Sequence, residues 1–233
     1  MPKNNIAVVL FFCAGLTSLA GSDAAPDLRG VWMAAAGVGA SLERAQVIVD
    51  PPDGKIPYRP EALAIRRQNF INRATADPES KCFQPGVPRA AYVRSPLQIF
   101  QNDRAVYIVY QDAHSYRIIY LNGSSHNEGL GFGMGDSRGH WDGNTLVVDV
   151  TSFTDSTWLD GSGTYHSDQL HVVERYTRTT PDTILYEATI DDPKVFTRSW
   201  KIRLPLHLQK GTEIQEDECE EGENGRRYHV RKR

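Results

Sequence analysis

Cysteine and methionine are scarce in this chain of 233 residues, three of each, and there is almost no net charge: 26 Lys+Arg stand against 29 Asp+Glu. A balance of −3 gives no long-range attraction for a phosphate backbone, so nucleic acid is not an expected partner. No CxxC and no adjacent histidine accompanies any cysteine, which leaves a nucleophilic thiol or a thiolate metal site without a local motif. There is no His-Glu-x-x-His and no similarly spaced metal motif either. After residue 19 no run is apolar enough to span a bilayer, so no membrane insertion is expected once a leader is removed. With 40% hydrophobic and 24% charged residues, a disordered or collagen-like chain is excluded.

Long apolar stretches occur only at the start. Lys3 supplies a positive charge, residues 6–19 are almost wholly apolar, and Ser18-Leu19-Ala20 puts small residues at both cleavage positions. That pattern predicts a secretory signal peptide over 1–20, a mature chain over 21–233, and a periplasmic or secreted location. Cleavage removes Cys13 and leaves Cys82 and Cys219, which an oxidising compartment is expected to join as a disulfide.

One helix is expected, from Pro60 at a first helical position to Asp77-Pro78, with Leu63, Arg67, Phe70, Ile71 and Ala74 at helical spacing. Its remaining faces are polar, which places it on a surface. From residue 90 the period changes to two. Runs over 97–102, 105–112, 116–121, 139–141, 145–151, 170–177, 183–191 and 196–206 are β-branched or aromatic and separated by short turns, Asp142-Gly143-Asn144 among them. With 31–33 and 47–49 they make about nine or ten strands, and the expectation is an all-β protein: one antiparallel β-barrel with a short surface helix. Oligomeric state is not legible.

Strand alternation sets Arg198 on a face with Phe196, Trp200, Ile202 and Leu204, and Glu174 on a face with Leu170, Val172 and Tyr176. A charge on an apolar face is costly unless paired, so the two either pair with each other or face a wet, ligand-holding cavity. The richest polar stretch runs from His126 to His171 and includes Asp136, Arg138, His140, Asp155, Trp158, Asp160, His166 and Asp168. Loops on a rigid β scaffold are a usual place for binding and catalysis. His166 and Asp168, two apart, share a face in an extended segment, and a carboxylate beside an imidazole makes an acid/base group. Gly129 to Gly135 alternates glycine with apolar residues; it lacks dinucleotide-loop spacing and reads as a flap or a close backbone approach. Gly135-Asp136-Ser137 is similar to the block that opens the domain of one class of serine hydrolases, but here it stands mid-chain among strands.

Cys82 to Arg89, Met134 to Asp149, Trp158-Leu-Asp-Gly161, His166 to Arg175 and Cys219 to Asn224 together resemble a large group of exported bacterial β-rich proteins. Gly30-Val31-Trp32 is similar to the first-strand motif of lipocalins and other calycins. That resemblance implies a calycin-like barrel with an apolar interior holding a small molecule, its tryptophan packed near a late arginine such as Arg198 or Arg203. Two functions are expected. One is a cofactor-independent lyase, isomerase or cyclase acting on a small, largely apolar substrate inside the barrel, with His166, Asp168, Glu174, Asp136 and His126 as catalytic candidates. Its substrate-binding candidates are Arg198, Trp200, Trp158, Tyr176, Trp141 and Arg138. The other is a lipocalin-like binding protein for an apolar molecule, and a metal-dependent hydrolase stands as a further alternative.

Overall fold

The computed structural model describes residues 26–112 and 115–216. The expected leader over 1–20 and the Cys219 half of the expected bridge lie outside the described residues. In chain order the elements are β1 (Gly30–Ala34), β2 (Ile48–Asp50), α1 (Pro60–Ala76), β3 (Leu97–Gln101), β4 (Ala105–Tyr110), β5 (Tyr116–Tyr120), β6 (Asp136–Asp142), β7 (Thr145–Thr151), β8 (His171–Thr180), β9 (Thr183–Asp191) and β10 (Trp200–Leu208). Nine strands close into a barrel, because β1 pairs with both β3 and β10, while β2 adds to the outer start of β10. The all-β barrel with one short helix is therefore the fold.

Period-two alternation does the building. Inward go Trp32, Leu97, Ile99, Val106, Ile108, Ile119, Leu146, Val148, Val172, Tyr176, Tyr186 and Trp200, each at most 1% exposed. A water-sized sphere that cannot touch these side chains cannot fit beside them, so this part of the interior is a packed, dry core. The ligand expected inside the barrel has no water-sized space next to these residues. Trp32 donates through Nε1 to the Leu28 carbonyl at 2.9 Å, and the arginine over its ring is Arg178 rather than Arg198 or Arg203.

One pairing departs from the antiparallel expectation. β5 and β6 run parallel, with Ile119 beside Ser137 and Tyr120 beside Arg138. Parallel neighbours need a crossover, so residues 121–135 form a strap that climbs back along the barrel's outer wall. At its end Gly135 has φ +67, and a Cβ there would come within 2.7 Å of Phe153 and Val150. The tight turns at 102–104, 143–144 and 181–182 gather at one end of the barrel. The long loops gather at the other.

The helix bounds agree with the sequence reading, but its apolar spacing does not mark a buried face. Ala62 is its one buried residue, and Leu63, Ile65 and Ile71 are exposed. Polar contacts fasten it instead: Arg66 donates to Ser162 Oγ and Asn69 to the Gly163 carbonyl. Gly163 lies so close that a Cβ would sit 2.8 Å from the Phe70 nitrogen.

Candidate functional site

Odd positions of β6 and even positions of β7 face inward and the alternate ones outward, so both sides of this wall carry polar groups. Inside, Arg117 clamps Glu174 through Nη1–Oε1 at 3.1 Å and Nη2–Oε2 at 2.7 Å. Tyr176 and Tyr186 donate to Glu174 Oε1 at 3.0 and 2.8 Å, and Arg117 Nη2 also donates to Ser137 Oγ at 2.8 Å. Burial disfavours the Arg117 cation, yet the Glu174 carboxylate outweighs it and holds the guanidinium well above its ordinary range. The same burial pushes both tyrosines far up. The partner expected for Glu174 was Arg198; Arg198 instead lies before β10, which begins only at Trp200, and pairs with Asp50 in solvent.

Outside, a second cluster spans three strands and the strap. Asp136, first residue of β6, accepts through Oδ2 from the Asn127 N–H at 2.8 Å, from Arg138 at 2.9 Å and from His126 Nδ1 at 3.2 Å. Asp149 on β7, in register with Arg138, takes His126 Nε2 on one oxygen and His171 Nε2 on the other, both at 2.8 Å. Arg138 stacks over the Tyr120 ring at 4.8 Å. Burial raises the Asp136 carboxyl, but the Asn127 N–H, Arg138 and His126 together hold it below the usual range, so it is ionised at neutral pH. His126 thus lies between two carboxylates, and both contacts are hydrogen bonds when its ring carries both protons.

Beside this cluster is a cleft of about 520 Å³ between the outer face of β5 and the strap. Tyr116, Ile118 and Tyr120 form one wall, Phe132 and Met134 the other, with Asn127 and Asp136 as polar groups and strap glycines as backbone lining. Glycine lets the strap backbone approach without side chains filling the gap. The cleft lies on the outside of the barrel.

Of the other catalytic candidates, His166 and Asp168 are not brought together. His166 is buried, with Nε2 on Thr157 Oγ1 at 2.7 Å and Nδ1 on the Ser167 carbonyl at 2.9 Å. Burial lowers its pKa, opposite to the raised basicity that a neighbouring carboxylate would give. Asp168 points to solvent and pairs with Lys194 at 2.6 Å. Trp200 and Tyr176 are core residues, Trp158 is buried in a bridge to Tyr165, and Trp141, opposite Leu146, is partly buried against the core. Asp160 is wholly buried and accepts from Leu42, Ser162 and Thr164, which makes it a loop organiser. Of the candidates, His126, Asp136 and Arg138 are brought together, and Asp136 is the one of the three that lines the cleft.

Asp149 and Arg117 escaped the sequence reading as site residues. The signal for Asp149 is present: in Val147, Asp149 and Thr151 an acid occupies the outward period of an apolar strand, level with Arg138. Arg117 carries the same signal inward, between Tyr116 and Ile118 on the opposite face. The two imidazoles face different oxygens of Asp149 instead of one point, and among the described residues no three His, Cys, Asp or Glu could hold a metal ion. A further cavity of about 780 Å³ at the long-loop end is lined by Glu79, Arg89, Arg94 and Asp112. There Arg89 is clamped by Asp77 and Glu79, and burial pushes Glu79 up to about 7 against the pull of Arg89.

The fold and site define a closed β-barrel with a polar cluster and a cleft on its outer wall. Neither a scan against protein-family models nor a search of the curated proteins finds a match to this chain.

Proposed function

We propose that the protein is an exported, cofactor-independent enzyme of the lyase, isomerase or cyclase kind, acting on a small molecule that lays an apolar face on the aromatic wall of the outer-wall cleft. The observation that carries this reading is His126 held between Asp136 and Asp149 at the cleft's edge. Asp136 is the ionised group that meets the substrate, and His126 Nδ1, 3.2 Å behind it, supplies or receives the proton. Asp149 fixes the ring through Nε2, and His171 fixes Asp149. A proton taken from one substrate atom returns to another, or to a leaving group. No co-reactant is needed. The leader-like start of the sequence supports export.

A binding protein is the second reading. It is favoured by one observation: the carboxylates of Asp136 and Asp149 already hold partners within the cluster, so neither stands free to take a proton from a ligand. Incubating the purified protein with a mixture of small metabolites, followed by mass spectrometry, separates the two. An enzyme yields a product isomeric with a consumed metabolite, or its fragments, and Asp136→Asn and Asp149→Asn abolish the conversion. A metabolite recovered bound and unchanged assigns the cleft to binding.

A further inference from the structure

Exposed apolar side chains are concentrated around the cleft. Apart from Val49 and three residues of α1, the exposed large apolar residues among those described lie in it or beside it. Phe132, Tyr116 and Tyr120 line it, Phe83 and Leu130 adjoin the lining residues Gln84 and Gly131, and Phe100 and Tyr107 stand on the next two strands. Strand register makes the last pair a row. Phe100 sits opposite Tyr107, Tyr107 opposite Ile118, and the β5–β6 register sets Ile118 beside Asp136. Three strand spacings make that row about 14 Å long. None of the outward residues of β3, β4 and β5 is charged (Gln98 and Phe100, Tyr107 and Val109, Tyr116, Ile118 and Tyr120). On β9 and β10 the outward positions include Glu187, Asp191, Lys201 and Arg203.

We propose that this wall binds a neutral oligosaccharide and that the cleft holds the end of its chain, a substrate class that rests on reading the cleft as the active site. The outward side chains of these three strands offer no cation to phosphates or acidic glycans, and Arg138, stacked on Tyr120, is already paired with Asp136. Being open, it dries only one side of whatever lies on it. A wholly apolar chain would leave its other side in water, whereas a pyranose ring has an apolar C–H face and a rim of hydroxyls. Aromatic rings outnumber aliphatic side chains here, and flat rings with polar edges suit such a ligand. At the end of the row, Asn127, Asp136 and the strap backbone offer partners for hydroxyl groups.

The test is electrophoresis of the full chain through native gels containing laminarin, galactomannan or soluble starch. At least one should retard the protein. The double variant Phe100→Ser/Tyr107→Ser, with an unchanged circular dichroism spectrum, should raise the dissociation constant about tenfold or more, since each ring contributes roughly threefold to tenfold. Tyr116→Ser, at a position 64% exposed, is the second variant should the double one not fold. No retardation by any of the three, or equal retardation of the variants, overturns the proposal. So does loss, in the variants, of a dimer on gel filtration or of attachment to phosphatidylcholine vesicles. Turnover of a small molecule through Asp136 without polysaccharide binding defeats this inference alone; polysaccharide binding without turnover defeats the acid–base reading alone.

Discussion

Two ionic clusters sit back to back on strands β5 to β8: Arg117 and Glu174 on the inner side, Asp136, Arg138 and Asp149 on the outer. Both use acid–base partners on neighbouring strands, yet their surroundings differ. The inner pair is at most 3% exposed, and its carboxylate accepts four hydrogen bonds, two from the guanidinium and two from phenols. Asp149 is 45% exposed and His171 43%, so the outer groups can exchange partners with a ligand. Burial turns an ion pair into a fixed strut, because separating it leaves a charge with no solvent. Half-exposure keeps the same chemistry available. The same strands therefore hold a structural cluster and the one proposed to react, sorted only by the pleat.

The largest expected effect breaks the inner cluster. Glu174→Gln leaves the Arg117 cation buried without its counter-ion and should cost about 3–5 kcal/mol in urea unfolding. Replacing both, as Arg117→Met with Glu174→Leu, should recover much of that loss. An equally stable Glu174→Gln chain would mean that water reaches the pair. The outer cluster should respond in the opposite sense. His126→Ala should lower turnover by roughly 10²–10⁴, the range for losing a general acid or base. Its unfolding midpoint should stay close to that of the native chain, because partly exposed ion pairs contribute little.

A pH titration sharpens the contrast. The folded Asp136 carboxyl is held below its unfolded value, so its contribution is present above the unfolded pKa of about 3.9 and lost as pH falls through the lower folded value. Hydrogen exchange at the Asn127 N–H, which Asp136 accepts, should therefore speed up at the acid end of that window, and Asp136→Asn should remove the dependence. His166 titrates in another window. Its folded pKa is depressed, so the stability it contributes is complete above the unfolded value of about 6.5 and declines as pH falls towards the folded one. Stability that does not change between pH 7 and 5 once His166 is replaced by Gln, against a decline in the native chain, is the expected result.

The barrel was legible because its signal is local: alternation within each strand, turn residues between strands, and Pro60 and Asp77 bounding the helix. What alternation cannot carry is pairing across distance. Glu174 was recognised as an inward charge, but its partner lies 57 residues back on β5, and the alternation that pointed to Arg198 ends where β10 begins. The parallel β5–β6 contact and the strap over it are set by a crossover whose path is not written in periodicity. Hence His126 stands out in the sequence as polar, while Asp149, the group that completes its site, reads there as part of a strand.

The smallest effect is the one that two-residue spacing would have made large. In an extended segment His166 and Asp168 share a face, and Asp168→Asn should then impair an oriented imidazole. The chain bends instead after Tyr165: His166 turns inward onto Thr157, and the Ser167 N–H and hydroxyl are captured by Asp192 at 2.6 and 2.9 Å. That capture sends Asp168 outward to Lys194, a contact of two exposed, screened groups. Asp168→Asn should therefore leave turnover, ligand retention and melting temperature all unchanged. A drop in turnover with the fold intact would mean that Asp168 reaches a reacting group in some ligand-bound arrangement, and the acid–base centre would then belong at the His166 loop and not at the outer wall.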